Sequence, residues 1–333
     1  MAFRNQRVEE RIELGARRIK NILRKHGIAT MRMLEQKIAD AGPNPQRIDP
    51  HILTKSRVGL FEKGQLQTRK MGNTQWHCLT ESDDAFVEAR FAELQPLHAR
   101  TERREFTDRM GDTAEIAVMK AMQLNGLHFV GHFGDLDKHD DSTRYVKYDP
   151  DSFSGKVIDG GKLDFILFNR DAGGLGIEIK NTREWIYPDK QIVTDLLKKC
   201  LQIDVVPVLV ARRMHYTTFS VLNACGAIIH QFYNQLYPNA EAGLADDVRD
   251  KNRLGYFDVR VGNEPDARML HFFGNSIQLV SKESREKFDS RKELIDQYVN
   301  GSMKYVEFER TLREGDEGSE EEGPDWDPDE DLK

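Results

Sequence analysis

Two short apolar runs carry the residues best suited to chemistry. The first, Lys162-Leu163-Asp164-Phe165-Ile166-Leu167-Phe168, holds one acid among hydrophobic residues. The second, Gly176-Ile177-Glu178-Ile179-Lys180-Asn181, holds an acid and an amine two residues apart. Side chains at i and i+2 of a strand share a face, so Glu178 and Lys180 point one way while Ile177 and Ile179 point the other. The intervening Asn169-Arg170-Asp171-Ala172-Gly173-Gly174 is rich in turn-forming residues. A turn centred near Asp171 sets Asp164 opposite Glu178, so that three charged groups converge on an otherwise apolar hairpin. Charge in such a setting is costly unless it is paired or bound to a metal.

Two carboxylates at this separation suit a hard, oxygen-binding divalent cation, Mg2+ or Mn2+, with the backbone carbonyl of Ile179 as a third ligand. Such a cation polarises a phosphate oxygen and lowers the pKa of a bound water. Lys180 is placed to orient that water or to stabilise charge developing on the phosphate. The expected chemistry is metal-assisted hydrolysis of a phosphodiester.

At these positions the chain resembles the PD-(D/E)xK nuclease superfamily, which includes many restriction endonucleases and Holliday junction resolvases. Asp164 matches the first acid and Glu178-Ile179-Lys180 the ExK element, while Leu163 stands where the name-giving proline would be. The resemblance implies two further site residues. Glu115, in Gly111-Asp112-Thr113-Ala114-Glu115-Ile116, takes the place of an upstream helical glutamate, and Gln191 that of a polar residue on the helix after the ExK strand. It covers roughly residues 105–237, by pattern of elements, and implies an α/β, restriction-endonuclease-like core: a mixed central sheet flanked by helices. It further implies a Mg2+-dependent endodeoxyribonuclease, a role in restriction or defence against foreign DNA, and a homodimer able to cut both strands. The plainer reading is a solvated hairpin whose acid–base pairs add modest cross-strand stability. Glu115 is then the polar edge of an amphipathic helix, and Asp195 and Lys198 share a helical face with Gln191.

The charge distribution suggests what feeds such a site. The net charge is −7, but residues 1–80 hold 16 Lys and Arg against 7 Asp and Glu, whereas residues 314–333 hold 11 acids and one lysine. A basic front end on an acidic chain points to a polyanionic partner, DNA. Within it, apolar spacing predicts helices over 7–28, from Thr30 to about residue 41, and from Pro50 to Glu62. A turn is expected at Asn44-Pro45, and a hairpin about Gly72-Asn73 within residues 65–79. Three helices and a basic hairpin resemble a winged helix-turn-helix domain. On that resemblance the third helix offers His51, Thr54, Lys55 and Arg57 to a groove, the hairpin offers Arg69 and Lys70 to phosphates, and Trp76 belongs to the core.

The expected organisation is therefore a DNA-binding domain over 1–80, a helical connector over 81–104, a nuclease core over 105–240, an accessory region over 241–312 and an acidic disordered tail over 313–333. In the core, a helix over 105–125 precedes a strand at 127–130 and a long polar loop to residue 161. After the hairpin come a helix with Ile192, Leu196, Leu197 and Cys200, a strand at 205–210, a helix at 219–225 and a strand at 227–232. Asp135, Asp137, Asp140 and Asp141 in the long loop read as solvated acids. Residues 269–280 read as one or two strands, followed by helices at 282–298 and 301–312. This organisation leaves the C-terminal region to meet a protein partner. Cys78, Cys200 and Cys225 form no CxxC pair and suggest no zinc cluster or disulfide framework, and the histidines lack metal-ligand spacing. With neither a signal-peptide core nor a long apolar run, a cytoplasmic protein without membrane attachment is expected. The competing function is a winged-helix regulator whose second domain is an inactive nuclease fold used for assembly.

Overall fold

The computed structural model describes residues 2–38, 48–134, 136–138 and 140–316. The expected turn at Asn44-Pro45, together with Asp135, His139 and the tail from residue 317, lies outside them. The protein is mixed α/β, and its described residues divide into two units, those up to Arg103 with Gly243–Val259, and Arg104–Ala242 with those from Arg260 to Asp316. Among the described residues no helix is long and apolar enough to cross a membrane.

The first unit runs α1 (Ala2–His26), β1 (Ala29–Thr30), α2 (Met31–Ile38), α3 (Pro50–Glu62), β2 (Leu66–Met71), β3 (Thr74–Leu79) and α4 (Asp84–Thr101). Its small sheet has the order β1-β3-β2, with every pair antiparallel. Gly72 supplies the positive φ that the β2–β3 turn requires. Ile19, Leu23, Met33, Leu34, Ile52, Leu53, Leu60 and Trp76 are buried. The Thr30 hydroxyl accepts from Met33 N–H at the start of α2, the capping role its residue type suggests. The expected connector over 81–104 is α4 and its flanks, which belong to this unit up to Arg103; Arg104 opens the second unit. Residues 241–312, expected as one accessory region, are shared between the units.

The second unit opens with α5 (Arg104–Leu124) and β4 (Phe129–Val130). The polar stretch that follows contains two short antiparallel pairs, β5 (His132–Phe133) with β6 (Lys147–Tyr148), and β7 (Ser152–Phe153) with β8 (Lys156–Val157). Then come β9 (Phe165–Asn169), β10 (Gly173–Lys180), α6 (Gln191–Ile203), β11 (Val206–Ala211), α7 (Tyr216–Ala224), β12 (Ile228–Gln231) and β13 (Gln235–Tyr237). The chain continues through α8 (Ala242–Arg249) to α9 (Ala267–His271), α10 (Ile277–Val299) and α11 (Tyr305–Asp316).

Five strands form the central sheet in the order β12-β11-β10-β9-β4. β4, β9 and β10 are antiparallel neighbours, while β10, β11 and β12 are parallel. Alternation divides the side chains between two cores. Phe165, Leu167, Ile177, Ile179, Val208 and Val210 pack with Ala114, Ala117 and Val118 of α5. Ile166, Leu209 and Ala211 pack on the other face with Val193, Leu196, Leu197 and Cys200 of α6. The approach of α6 is close: a Cβ on Gly176 would lie 2.8 Å from Cys200 Sγ, so β10 needs a glycine there.

Residues 269–280 are helical, which corrects the strand expected there. Met269, Phe272, Phe273 and Ile277 are buried together, and their spacing is that of one helical face rather than of alternation. Asp266 starts the helix by accepting from Met269 N–H. A π-helical turn, Phe272–Ser276, joins α9 to α10.

Phe272 stacks on the half-buried His230 at 4.5 Å between ring centres. Burial first, and the Arg268 charge second, lower the pKa of His230 to about 4. Its folded value lies below the unfolded one, so its contribution to stability is full above about pH 6.5 and is lost as pH falls toward 4. His230→Phe keeps the stack without the titration. Urea unfolding between pH 7 and 4 should show the variant losing less stability than wild type, by on the order of 2 kcal/mol; equal losses would contradict the assignment.

Candidate functional site

The observed β9–β10 register runs from Asn169↔Gly173 to Phe165↔Ile177, which centres the turn on Asp171 and sets Asp164 across from Glu178. Asn169 holds the turn, its side-chain oxygen accepting from the N–H groups of Asp171 and Ala172. At the other end of the hairpin, Asp164 N–H donates to Ile177 O, and Asp164 Oδ2 accepts from Ile179 N–H at 2.6 Å. Backbone thus fixes one oxygen of Asp164 against the Glu178-Ile179-Lys180 segment.

Glu178 is buried beside this segment. Its Oε1 lies 2.6 Å from Lys180 Nζ and its Oε2 3.0 Å from Lys199 Nζ of α6. On the other side of Asp164 stands Lys147, whose Nζ is 2.7 Å from Asp164 Oδ1, 2.5 Å from Glu115 Oε2 and 2.8 Å from Asp149 Oδ1. Of the three, the Asp164 contact has hydrogen-bond geometry. Four carboxylates and three ammonium groups are therefore gathered where β9, β10, α5, α6 and the segment of β6 meet.

Electrostatics follow from burial and sign. Burial, reinforced by Asp164 and opposed by Lys147, raises the pKa of Glu115 to about 8. For Lys147, burial favours the neutral amine, but Asp164 and Glu115 outweigh it and the pKa rises. Lys180 shows the same balance, with burial overcome by Glu178 and Asp164. Both lysines remain charged while Glu115 is driven toward the neutral acid, as expected where acids outnumber bases out of water.

Asp164, Glu178, Lys180 and Glu115 are thus brought together, with Ile179 between them. Gln191 is not among them: it is exposed at the first position of α6, and Lys199, two turns further on, is the α6 residue that reaches Glu178. Sequence reasoning also missed Lys147 and Asp149. Their only signal was the i, i+2 spacing in Lys147-Tyr148-Asp149, the pattern that marked Glu178 and Lys180. Asn181 was missed as the anchor of this end of β10. Its side chain donates to Met110 O of α5 and Leu236 O of β13 and accepts from Leu236 N–H. Nor is Asp141 a solvated acid. It is buried and accepts from Asn239 N–H, Asn239 Nδ2 and Ala240 N–H.

Among the described residues no group of three or more His, Cys, Asp and Glu side chains is arranged to hold a metal ion. A cation here would rest on Asp164 and Glu178 completed by backbone or water oxygens. The donor set is the oxygen-only kind a hard cation takes, and both acids lie on adjoining backbone segments. No family model, curated protein or solved structure matches the chain.

In the first unit, His51, Thr54, Lys55 and Val58 of α3 are exposed along one side of the helix, and Lys70 is exposed on β2. Arg57 is half-buried and lies near His77, whose pKa is lowered to about 4 by burial first and by Arg57 second. Arg69 is already ion-paired with Glu88 and lies 3.7 Å from Asp84. Lys55 and Lys70 are consequently the more accessible of the four basic residues expected to meet DNA.

The segment carrying Lys147 is tied to α5 by Asp112. This buried carboxylate accepts from Arg144 Nε at 2.9 Å, Arg144 Nη2 at 2.8 Å and Tyr145 N–H at 3.3 Å. Asp112→Ala removes the acceptor of these three hydrogen bonds and should cost about 1–3 kcal/mol. It should also speed amide exchange over residues 140–149. Exchange there unchanged from wild type would show that the anchor lies elsewhere.

Proposed function

We propose that the protein is a metal-dependent DNA endonuclease, with a restriction-endonuclease-like core in the second unit and a winged-helix reader in the first. The convergence of Asp164, Glu178 and Lys180 at the open end of the β9–β10 hairpin carries this reading. The order α5, β4, β9, β10, α6, β11 supports it, because it is the helix, three strands, helix, strand sequence of that fold. The helix and strand order of the first unit, with its β2–β3 hairpin, supports the reader.

Asp164 and Glu178 would hold Mg2+ or Mn2+ together with the Ile179 carbonyl. When bound, the cation supplies Lewis acidity toward a phosphate oxygen and a water of lowered pKa. The side chains do the rest. Ile179 N–H orients Asp164, Lys199 steadies the second oxygen of Glu178, and Lys180 stands beside Glu178 to orient the attacking water and stabilise charge on the phosphate. Lys55 and Lys70 would hold the duplex through its backbone, which gives affinity without sequence information.

One observation favours a second reading, a winged-helix regulator with an inactive core. Both oxygens of Asp164 and both of Glu178 are already contacted, by Lys147, the Ile179 N–H, Lys180 and Lys199. An internally neutralised site needs no cation. Cleavage of plasmid, linear duplex, single-stranded DNA and RNA with Mg2+ or Mn2+ separates the two readings. Wild type should cut DNA, while Asp164→Ala, Glu178→Ala and Lys180→Ala should each lower the rate by at least about 10²–10³-fold and leave duplex binding intact. Cutting retained in all three variants would move the chemistry elsewhere, and a wild type that binds DNA but cuts nothing would favour the regulator.

Charge reversal at Lys55 and Lys70 should weaken binding on all sequences alike. Each lost phosphate contact should reduce the slope of log affinity against log salt by about 1. An unchanged slope would remove α3 and the hairpin from the contact surface. Homodimerisation and a role in defence against foreign DNA belong to the same proposal; a strict monomer with and without DNA in light scattering would contradict the dimer.

A further inference from the structure

Lys147 occupies an unusual position for a residue of a long polar segment. Its side chain is 11% exposed. Its ammonium touches Glu115, Asp149 and Asp164 at 2.5–2.8 Å. The faces of Phe133 and Phe165 lie 5.9 and 6.0 Å from the nitrogen. A buried ammonium is tolerated only where paired acids replace its water, and three do so here. The backbone is held as firmly, by the β5–β6 pairing and by the Arg144–Asp112 contacts three residues earlier. These restraints describe a resident cation rather than a side chain that swings out.

Asp164 faces two ways. Oδ1 turns to Lys147, and Oδ2 turns to the Ile179 N–H on the Glu178 side. In nucleases with two metal ions the cations stand about 3.5–4 Å apart and act as a clamp on the reacting oxygens. Here one of the two directions from Asp164 is already filled by an organic cation.

We propose that Lys147 is a positioning residue that supplies the second positive charge of this centre, so that the site takes one divalent cation, between Asp164 and Glu178, and not two. The inference rests on the nuclease reading for the first cation. Lys147 fixes the Asp164 carboxylate and stands against Glu115 and Asp149. Lacking a ligand sphere, the ammonium activates no bound water and forms no coordinate bond to phosphate. Glu115 and Asp149 act through Lys147 and leave the cation's coordination to Asp164, Glu178 and Ile179.

The test is Mn2+ binding to the metal-depleted full-length chain, read by titration calorimetry and by electron paramagnetic resonance. Wild type should bind one Mn2+ with a magnetically isolated spectrum, and Glu178→Gln should lose it. Lys147→Ala opens the space among Glu115, Asp149 and Asp164 and should gain a second equivalent with an exchange-coupled spectrum. Lys147→Arg should restore a single equivalent. Two coupled Mn2+ ions in wild type would overturn the inference without needing a folded variant. One Mn2+ in wild type, lost in Glu178→Gln and unchanged in a folded Lys147→Ala, would overturn it while leaving the nuclease reading in place. Mn2+ bound by neither wild type nor Lys147→Ala would overturn both.

Discussion

The cost of keeping carboxylates out of water governs the second unit. Asp164 and Glu178 lie at one end of a hairpin whose other residues are almost all apolar, and Glu115 projects from a helix packed on the same sheet. Each acid has to meet a cation or take up a proton. Lys147, Lys180 and Lys199 meet most of that demand, and Glu115, its pKa raised to about 8, carries the remainder.

The sheet makes this arrangement rigid. Antiparallel pairing of β9 with β10 fixes Asp164 against Ile179, and parallel pairing of β10 with β11 buries the strand that carries Glu178. Asn181 ties the end of β10 to α5 and β13, so the helix bearing Glu115 and the strand bearing Lys180 share one anchor. A centre built from strand ends and a packed helix holds its geometry better than one built on loops alone. Lys147, which does come from a long polar segment, is held by ion pairs and by the Asp112 clamp instead.

What was legible in the sequence was local. The hairpin register followed from turn residues and alternation, because a slip of one residue would turn Glu178 and Lys180 into the opposite core. The three helices and hairpin of the first unit were equally readable, apart from β1, which has two residues and exists only through its pairing with β3. Lys147 and Asp149 were not legible because their position depends on a two-residue strand and an anchor some 30 residues away. Lys199 rather than Gln191 meets Glu178 because the placement of α6 on the sheet selects the residue, and that placement is set by close packing of Cys200 on Gly176. Residues 269–280 were misread because weak alternation concealed the helical spacing of Met269, Phe272, Phe273 and Ile277.

The central claim is that Asp164 and Glu178 grip one hard cation. Anomalous diffraction from crystals of the wild-type protein grown with Mn2+ tests it most directly. The account predicts a single peak between the two carboxylates, within about 2.0–2.4 Å of an oxygen from each, with Lys147 still against Glu115 and Asp149. Crystals soaked at saturating Mn2+ that show no density there, with Lys180 and Lys199 still closing on Glu178, would contradict it.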